Sequence, residues 1–276
     1  THSYILFFTD KGKCYWVKVY DIPEGGRAAK GRAIVNLIGC EPDEKVSAFI
    51  SVKEFNDDHF VVMATEKGIV KKTKLSAYSN PRKKGIYAVE IRDGDKLIEA
   101  RVSTGDNDIL LGTRNGKSIR FSEEQIRPSG RKTMGVKGIT LSSKDDRLVG
   151  MLLIKREGTT VLVATEKGFG KRTEISQYRA QKRGGKGVLT MKTTEKVGKM
   201  VTIKEVVDKD DLMIITNQGV LIRQPVSQIR AIGRATQGVK LIKLGEGTLV
   251  SSITRIMSEE DDGDENNSAE PEGNSE

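Results

Sequence analysis

The sequence predicts an all-β protein made of five repeated, propeller-like units. Five short apolar runs, rich in β-branched residues, each end in Thr-x-x-Gly, which is typical of a buried strand followed by a tight hairpin. A second glycine follows each hairpin glycine after 17 residues in one unit and after 19 in the other four. The units repeat every 48 to 56 residues, and four strands per period are typical of propeller blades. An irregular β-sandwich is the alternative, and the regular spacing disfavours it.

Each unit begins with a pair of strands joined by a hairpin. The first strands are the apolar runs Ile5–Phe8, Val61–Ala64, Ile109–Gly112, Val161–Ala164 and Leu212–Ile215. The hairpin glycines, which supply a left-handed backbone conformation, are Gly12, Gly68, Gly116, Gly168 and Gly219. The returning strand alternates in polarity, as in 69–73 or 220–223, so we expect it to have one buried face.

The second half of each unit contains an apolar anchor, a basic loop and a further strand. The anchors are Ile22, Tyr78, Ile126, Tyr178 and Ile229. The loops are Gly25–Gly31, Pro81–Gly85, Arg131–Gly135, Gln181–Gly187 and Arg234–Gly238. The strands expected after the loops are Ala33–Leu37, Tyr87–Ile91, Val136–Leu141, Val188–Met191 and Val239–Leu244. An acidic turn and another apolar run close each unit, and the absence of a long 3.6-residue period predicts few helices.

The heptapeptide Gln181–Gly187 is the most informative segment. It holds three cations and three glycines in seven positions, with no acid. Glycine lets the backbone approach another surface closely and adopt a positive φ, and the cations supply charge for a polyanion. One such loop alone would predict little, but weaker basic loops occupy the same place in the other four units. The repeat therefore predicts a recurring anion-binding element.

The charge of the chain is divided unevenly along the sequence. The chain has 47 Lys and Arg and 38 Asp and Glu, and nine of these acids lie in residues 259–276, which contain no Lys or Arg. Residues 1–258 thus carry 47 cations against 29 acids, a net charge of +18. We expect a folded domain over 1–258 and a disordered acidic tail over 259–276. The tail either competes with a polyanion for the basic surface or serves only solubility.

Double-stranded DNA, held by its phosphates without regard to sequence, is the polyanion that the basic loops favour. The repeat places the loops equivalently, along one rim of the blades, and each neutralised phosphate releases counterions. No recognition helix is predicted, and aromatic residues are only 5% of the chain, so base reading and stacking are disfavoured. The residues expected to contact DNA are Gln181, Lys182, Arg183, Gly184, Gly185, Lys186, Gly187, Arg27, Lys30, Arg32, Arg82, Lys83, Lys84, Arg131, Lys132, Lys137, Lys171, Arg172, Arg234 and Lys240.

Further cations on the returning strands are expected at the surface, where they would extend the basic track. The two-residue alternation is expected to place some of them on one face and to bury none. They are Lys71, Lys72, Lys74, Lys117, Arg120, Lys171, Arg172 and Arg223.

The sequence offers no catalytic constellation. The only histidines, His2 and His59, are far apart, and the carboxylates are not paired in a way that suits acid–base chemistry. The segment Gly112–Ser118 superficially resembles a phosphate-binding loop but has three residues between its glycines instead of four. Cys14 and Cys40 fit neither a disulfide framework nor a metal pattern. We expect no metal, cofactor or membrane span, and a cytoplasmic location.

The heptapeptide Gln181–Gly187 resembles the signature box of the C-terminal domains of bacterial DNA gyrase A subunits. The usual box is Gln-Arg-Arg-Gly-Gly-Lys-Gly, and Lys182 is the one departure. The Thr-x-x-Gly strands, the stretch Gly31–Leu37 and the acidic tail are similar to the same family, so the resemblance covers essentially the whole chain. It implies a β-pinwheel, in which propeller-like four-stranded blades exchange strands with their neighbours. It also implies a basic perimeter that bends DNA and wraps it with positive handedness.

The resemblance further implies a place in a larger machine. Gyrase is a type IIA topoisomerase of two A and two B subunits, cytoplasmic and nucleoid-associated, that introduces negative supercoils using ATP. Its cleavage tyrosine and its ATPase lie outside this domain. The chain alone is therefore expected to be non-catalytic. Its expected partners, besides DNA, are the catalytic part of the A subunit, together with the B subunit.

Two features depart from the usual family pattern. The family usually has six blades with the box in the first, whereas five units are visible here and the best box is in the fourth. Either an earlier unit precedes this chain, which opens directly on a strand, or the box is placed differently.

Three other functions remain to be separated from gyrase. The A subunit of topoisomerase IV, which decatenates DNA, has a similar domain, but its boxes are usually degenerate. A propeller scaffold for protein partners usually has aromatic-rich blades, and the charge of +18 disfavours it. An enzyme with its site in a propeller channel would need clustered acids or histidines.

Overall fold

The computed structural model describes residues 3–25, 31, 33–155 and 158–257, and nineteen strands make up most of its regular structure. One short helix, α1 (Ile34–Ile38), and five single 3-10 turns complete it, so the prediction of few helices is confirmed. No helix among these residues is long and apolar enough to cross a membrane. The strands are β1 (Tyr4–Thr9), β2 (Lys13–Lys18), β3 (Val46–Val52), β4 (Phe60–Thr65), β5 (Ile69–Lys74), β6 (Ile86–Tyr87), β7 (Leu97–Ser103), β8 (Asp108–Thr113), β9 (Lys117–Ser122), β10 (Val136–Lys137), β11 (Leu148–Ile154), β12 (Thr160–Thr165), β13 (Phe169–Glu174), β14 (Val188–Leu189), β15 (Met200–Val206), β16 (Asp211–Thr216), β17 (Leu221–Pro225), β18 (Val239–Lys240) and β19 (Val250–Ile256).

The strands form five antiparallel sheets, which we call blades 1 to 5. Their strand orders are β3-β1-β2-β6, β10-β5-β4-β7, β11-β8-β9-β14, β15-β12-β13-β18 and β17-β16-β19. In blades 1 to 4 the fourth strand comes from the following unit of the sequence, which confirms the strand exchange that the resemblance implied. Blade 5 has three strands, and the last of them, β19, is the final strand of the described residues.

The hairpin glycines explain why each blade begins in the same way. All five adopt a positive φ between 78° and 83°, a conformation that strongly favours glycine. Gly12 illustrates a second requirement, since a Cβ there would lie 2.3 Å from the carbonyl oxygen of Val89. The carbonyl oxygen of each hairpin glycine in blades 1 to 4 accepts hydrogen bonds from the exchanged segment, as in Ala88 N to Gly12 O at 2.8 Å. The hairpins therefore bind the exchanged segment of the next sequence unit.

The segments after the basic loops differ from the predicted strands. Only two residues of each form ladder pairs, after which the chain turns over the hairpin glycine of the preceding blade. The prediction of a strand over Ala33–Leu37 is wrong, because α1 occupies this stretch. In the later units this segment pairs with the second strand of the preceding blade, and the described residues before the first unit contain no such strand.

The structure divides into two compact units. One consists of Thr1–Lys155 with Tyr178–Thr190 and contains blades 1 to 3, and the other consists of Arg156–Gln177 with Met191–Glu276 and contains blades 4 and 5. Within each of these two compact parts, apolar cores lie between successive blades. The anchors Tyr78, Ile126, Tyr178 and Ile229 are each at most 2% exposed, as predicted. Burial of an apolar side chain of this size stabilises the fold by about 1.5–3 kcal/mol.

Candidate nucleic-acid interface

Each fully described basic loop lies on the blade that precedes it in the sequence. Loop 81–85 lies on blade 1, loop 131–135 on blade 2, loop 181–187 on blade 3 and loop 234–238 on blade 4. The equivalent placement that the repeat predicted is therefore confirmed for these four loops, each relative to the blade on which it lies. The cations of the first loop segment, Arg27, Lys30 and Arg32, lie outside the described residues.

The final glycine of each loop makes the docking possible. A Cβ at Gly135 would lie 2.5 Å from the Val70 carbonyl oxygen, and one at Gly238 would lie 2.5 Å from that of Gly170. The box glycine Gly187 is closest, at 2.4 Å from the Ser118 carbonyl oxygen, and its φ is +69°. Any side chain would push the loop off the strand beneath it. The approach is therefore specific to glycine for steric and conformational reasons.

Hydrogen bonds hold the box loop 181–187 both to β9 of blade 3 and to the segment 138–140. Gln181 N donates to the Arg120 carbonyl at 2.8 Å, and Gly184 N donates to the Gly138 carbonyl at 2.6 Å. Thr140 donates through N to the Gly185 carbonyl at 2.8 Å and through Oγ1 to the Gly184 carbonyl at 2.7 Å. The loop thus joins β9 to the segment that docks on blade 2.

The three cations of the box have two different roles in this geometry. Arg183 points back into the protein: Nε donates to the Gln125 carbonyl at 2.9 Å, and a terminal nitrogen donates to the Lys137 carbonyl at 3.2 Å. The Gln125 side chain returns the contact, since its Oε1 accepts from Arg183 N at 2.9 Å. Lys182 and Lys186 are exposed. The two lysines are therefore available to a ligand. Arg183 mainly holds the box loop against the residues around Gln125 and Lys137.

Exposed cations also lie in the other loops or on the short strands that follow them. On blade 1 the exposed cations are Arg82, Lys83 and Lys84, and on blade 2 they are Lys132 and Lys137. On blade 4 Lys240 is exposed. The arginines at the place of Arg183, which are Arg131 and Arg234, are half-buried like it.

The prediction that the returning strands bury none of their cations is wrong. Lys71, Lys72, Lys171 and Arg172 are between 0% and 7% exposed. Lys117 and Arg120 are partly buried, and only Lys74 and Arg223 are exposed. The alternation of the strand places one position against the docked loop and the next against the following unit. Both faces are covered, which the sequence pattern of a single strand does not show.

The buried cations are held by the following unit. The Nζ of Lys72 lies 3.1 Å from a carboxylate oxygen of Glu123 and donates to the Gly105 carbonyl at 3.0 Å. Arg172 Nε donates to the Ile229 carbonyl at 2.7 Å, and its guanidinium also pairs with Asp208. Lys171 and Arg172 were expected to contact DNA, but both are buried and therefore do not form part of an exposed interface.

No group of three or more His, Cys, Asp or Glu side chains in the described part of the chain is arranged to hold a metal ion. His59 faces its own turn, with Nδ1 2.9 Å from Asn56 Oδ1. Cys14 is buried, and burial raises the pKa of its thiol. Gly116, in the stretch that superficially resembles a phosphate loop, lies in the hairpin of blade 3.

Comparisons with known proteins agree with this architecture. A family model described as the DNA gyrase C-terminal domain, a beta-propeller, matches residues 3–53, 59–104, 107–155, 159–206 and 210–256. These five segments each cover the three long strands of one blade. The chain belongs to the DNA gyrase C-terminal domain family. The prediction of the family from the box and the repeat is confirmed.

Relatives of this gyrase family chain include much longer A subunits. The DNA gyrase A subunit of Staphylococcus epidermidis strain ATCC 12228 is 46% identical over 263 residues, which are 95% of this chain and 29% of that protein. The DNA gyrase A subunit of Staphylococcus aureus strain MRSA252 is 44% identical over 267 residues, which are 96% of this chain and 30% of that protein. The chain therefore spans less than a third of the length of these relatives.

Solved structures show the same fold at lower identity. The crystal structure of the C-terminal domain of DNA topoisomerase IV matches with a TM-score of 0.86 and 24% identity, over 93% of this chain and 80% of that one. The structure of a DNA gyrase A C-terminal domain matches with a TM-score of 0.79 and 23% identity, over 93% and 83%. At these identities the likeness shows the fold, and the sequence relatives show the gyrase family.

Proposed function

We propose that this chain is the DNA-wrapping domain of a gyrase A subunit, which bends double-stranded DNA along its basic loops and performs no chemistry itself. The observation that carries the proposal is the repeated docking of loops that end in a closely packed glycine, with exposed cations on each loop or on the short strand that follows it. Membership in the gyrase C-terminal domain family supports it.

Backbone contacts suffice for such a function. Lys182 and Lys186 carry compact ammonium groups on flexible stems, which suit phosphates at variable positions. No helix longer than five residues is present among the described residues, so none of these can enter a major groove as a recognition element. Binding by phosphate contacts is independent of sequence and weakens steeply with salt. We therefore expect a strong salt dependence and little discrimination between DNA sequences.

DNA bending follows from the repetition of the cationic loops on successive blades. Loops at equivalent places on successive blades 1 to 3 present cations at intervals, and a duplex that contacts several of them must deform to follow them. Smooth bending of a 20–30 base-pair site by 40–90° costs on the order of 1–6 kcal/mol, which additional phosphate contacts offset. Chiral wrapping requires in addition that successive phosphate contacts be displaced in one constant direction along the axis about which the DNA bends.

We place this domain in a gyrase holoenzyme of two A and two B subunits, where the catalytic part of the same A chain is its neighbour. In that setting the wrap would present a DNA segment for passage through a break made elsewhere, and ATP would bind elsewhere in the holoenzyme. A cytoplasmic, nucleoid-associated location is part of this proposal. The A subunit of topoisomerase IV is the second candidate, since its C-terminal domain shares the fold.

A topology assay tests the proposal. The chain is bound to relaxed circular DNA, the DNA is closed by a type I relaxing enzyme, and the products are resolved on gels that report handedness. A shift to positively supercoiled product is expected. Binding with no change in linking number would contradict chiral wrapping and would favour the topoisomerase IV candidate. Absence of salt-dependent DNA binding would overturn the proposal altogether.

A further inference from the structure

Lys171 is a buried lysine directly beneath a basic loop. Its side chain lies on β13 and is fully buried. The Nζ donates to the Gly233 carbonyl at 2.7 Å, to Thr236 Oγ1 at 3.0 Å and to the Arg234 carbonyl. All three acceptors belong to the loop segment 233–236, so the three N–H donors of this ammonium group are used on one loop.

Lys71 repeats this arrangement on blade 2. It is 1% exposed, and its Nζ donates to the Ala88 carbonyl at 2.7 Å and to the Arg131 carbonyl. Lys71 and Lys171 each stand three residues after the hairpin glycine of their blade. Both acceptor sets include the main-chain carbonyl of the loop arginine.

The same position in other blades shows that the fold does not require a lysine there. Blades 3 and 5 have Ile119 and Ile222 three residues after the hairpin glycine. Ile119 is fully buried under the box loop, where its Cδ1 would lie 3.4 Å from a Cβ at Gly185. Burial of a charged amine is unfavourable unless its donors are satisfied. A lysine at this place therefore needs a reason other than packing.

We propose that Lys71 and Lys171 are positioning residues that hold the loops of blades 2 and 4 in the conformation that presents the exposed cations in or next to these loops to DNA. This inference rests on the proposed DNA-binding function. Each ammonium group draws the loop carbonyls inward, toward the blade. Lys132 then stays exposed next to the tethered Arg131 on blade 2, and Lys240 stays exposed beyond loop 234–238 on blade 4.

Burial and a neighbouring arginine set the pH at which each lysine loses its charge. Burial lowers the pKa of Lys171 to about 8, with a further contribution from Arg234. Burial also lowers the pKa of Lys71 to about 8, with Arg131 adding to the effect and Glu90 opposing it. Near neutral pH both amines keep their protons, and above pH 8 they lose charge and one donor each.

Limited proteolysis tests whether the lysines hold the loops. Trypsin sites are present within the tethered loops at Arg131 and Arg234, and at Arg183 in the box loop. Lys171→Met should raise cleavage after Arg234 at least about fivefold, because charge-assisted hydrogen bonds that order the loop are removed. Cleavage after Arg183 should be unchanged, and Ile119→Met is the control that alters the equivalent apolar position. Equal protection of Arg234 in the variant and the original chain would overturn the proposal.

DNA affinity as a function of pH tests whether the tether matters for binding. We expect the original chain to lose affinity at least about threefold more than the Lys71→Met, Lys171→Met double variant between pH 7 and 9.5 at constant ionic strength. Parallel pH profiles would contradict the positioning role. The pH series on the original chain needs no variant, so a flat profile would refute the inference even if the double variant failed to fold.

The two proposals fail in distinguishable ways. If the original chain does not bind DNA in low salt, the proposed function is wrong, and proteolysis still decides whether the lysines tether the loops. If the chain wraps DNA and the double variant wraps it equally at every pH, the function stands and the positioning role is wrong.

Discussion

The loops on blade 3 and blade 4 dock in the same way but are held by different cations. On blade 3 the cation belongs to the loop itself, and on blade 4 it belongs to the strand under the loop. On blade 3 the box loop supplies its own arginine, since Arg183 reaches out to the Gln125 and Lys137 carbonyls. On blade 4 the strand beneath supplies the cation, since Lys171 reaches up to the carbonyls of Gly233 and Arg234. The residue at the place of Lys171 in blade 3 is Ile119.

This difference separates what the fold demands from what each loop adds. The glycine approach is common to both, with Gly187 over Ser118 and Gly238 over Gly170. The first hydrogen bond of the loop is common too, from Gln181 N to the Arg120 carbonyl and from Ile232 N to the Arg172 carbonyl, both at 2.8 Å. Backbone geometry therefore sets where a loop lies, and the cation that fastens it can come from either partner.

The largest expected effect comes from the shared feature. Gly187→Ala and Gly238→Ala should each destabilise the chain by about 2–4 kcal/mol, because the left-handed conformation is strained by about 1–3 kcal/mol and the new Cβ overlaps a carbonyl oxygen. Urea unfolding measures this loss. Gly185→Ala is the control in the same loop, since its Cβ would make only an ordinary contact 3.4 Å from Ile119. Equal stability of Gly187→Ala and Gly185→Ala would show that the close approach is not required.

The next effect distinguishes the fastening arginine from its exposed neighbour. Arg183→Ala should lower the free energy of unfolding by about 1 kcal/mol, because the Gln125 and Lys137 carbonyls lose a charged donor. Lys182→Ala should change it by less than about 0.5 kcal/mol, because its side chain is exposed. Chemical denaturation of the two variants side by side checks this. A reversed order would mean that Arg183 is free for DNA and that Lys182 is the structural residue.

The exposed lysines should affect DNA and leave stability unchanged. The Lys182→Ala, Lys186→Ala double variant should reduce the slope of log affinity against log salt by about 2, one for each phosphate that is no longer neutralised. The DNA bend angle should fall more than the affinity, because the box loop loses its phosphate contacts while the other loops keep theirs. Fluorescence titrations over a salt series, with bend angles from energy transfer between labelled DNA ends, measure both quantities. An unchanged bend angle would exclude the box loop from the DNA path.

The last effect is the pH dependence of stability that Lys171 introduces. Its pKa is about 8 in the folded chain and 10.5 for the free side chain. Below pH 8 both states hold the proton, and between about pH 8 and 10.5 the unfolded state holds more, so the free energy of unfolding rises with pH in that window. Lys171→Met should flatten this rise and Ile119→Met should not. Thermal melts across the window test it, and identical profiles for all three proteins would place the amine in water.

The repeat was predictable because it depends on local chemistry. Thr-x-x-Gly hairpins, the buried first strands and the anchors such as Tyr78 each follow from residue type and spacing, and the structure confirms them. The strand exchange entered through the family resemblance, since nothing within one unit indicates which blade its last strand will join. The box was also identified from sequence, because glycine and cation spacing is visible there directly.

The buried cations were mispredicted because their environment is not local. Lys71 and Lys171 look like polar positions of an alternating strand, and the loop that covers each comes from about 60 residues later in the chain. One clue was available: position three after the hairpin glycine is Tyr, Lys, Ile, Lys and Ile in the five units. A lysine that alternates with isoleucine at a repeat position indicates burial with satisfied donors. Likewise, α1 replaces a predicted strand where the described residues offer no preceding edge to pair with it.

Lysine footprinting on the DNA-bound chain tests most directly the claim that the docked loops form the interface. The chain is labelled at accessible amines with and without duplex DNA, and each lysine is followed by mass spectrometry. We expect protection of Lys132, Lys182 and Lys186, no labelling of buried Lys171 in either state, and unchanged labelling of Lys144, which is exposed outside the basic loops. Protection of Lys144 with continued labelling of Lys182 and Lys186 would show that DNA binds elsewhere and that the docked loops are not the interface.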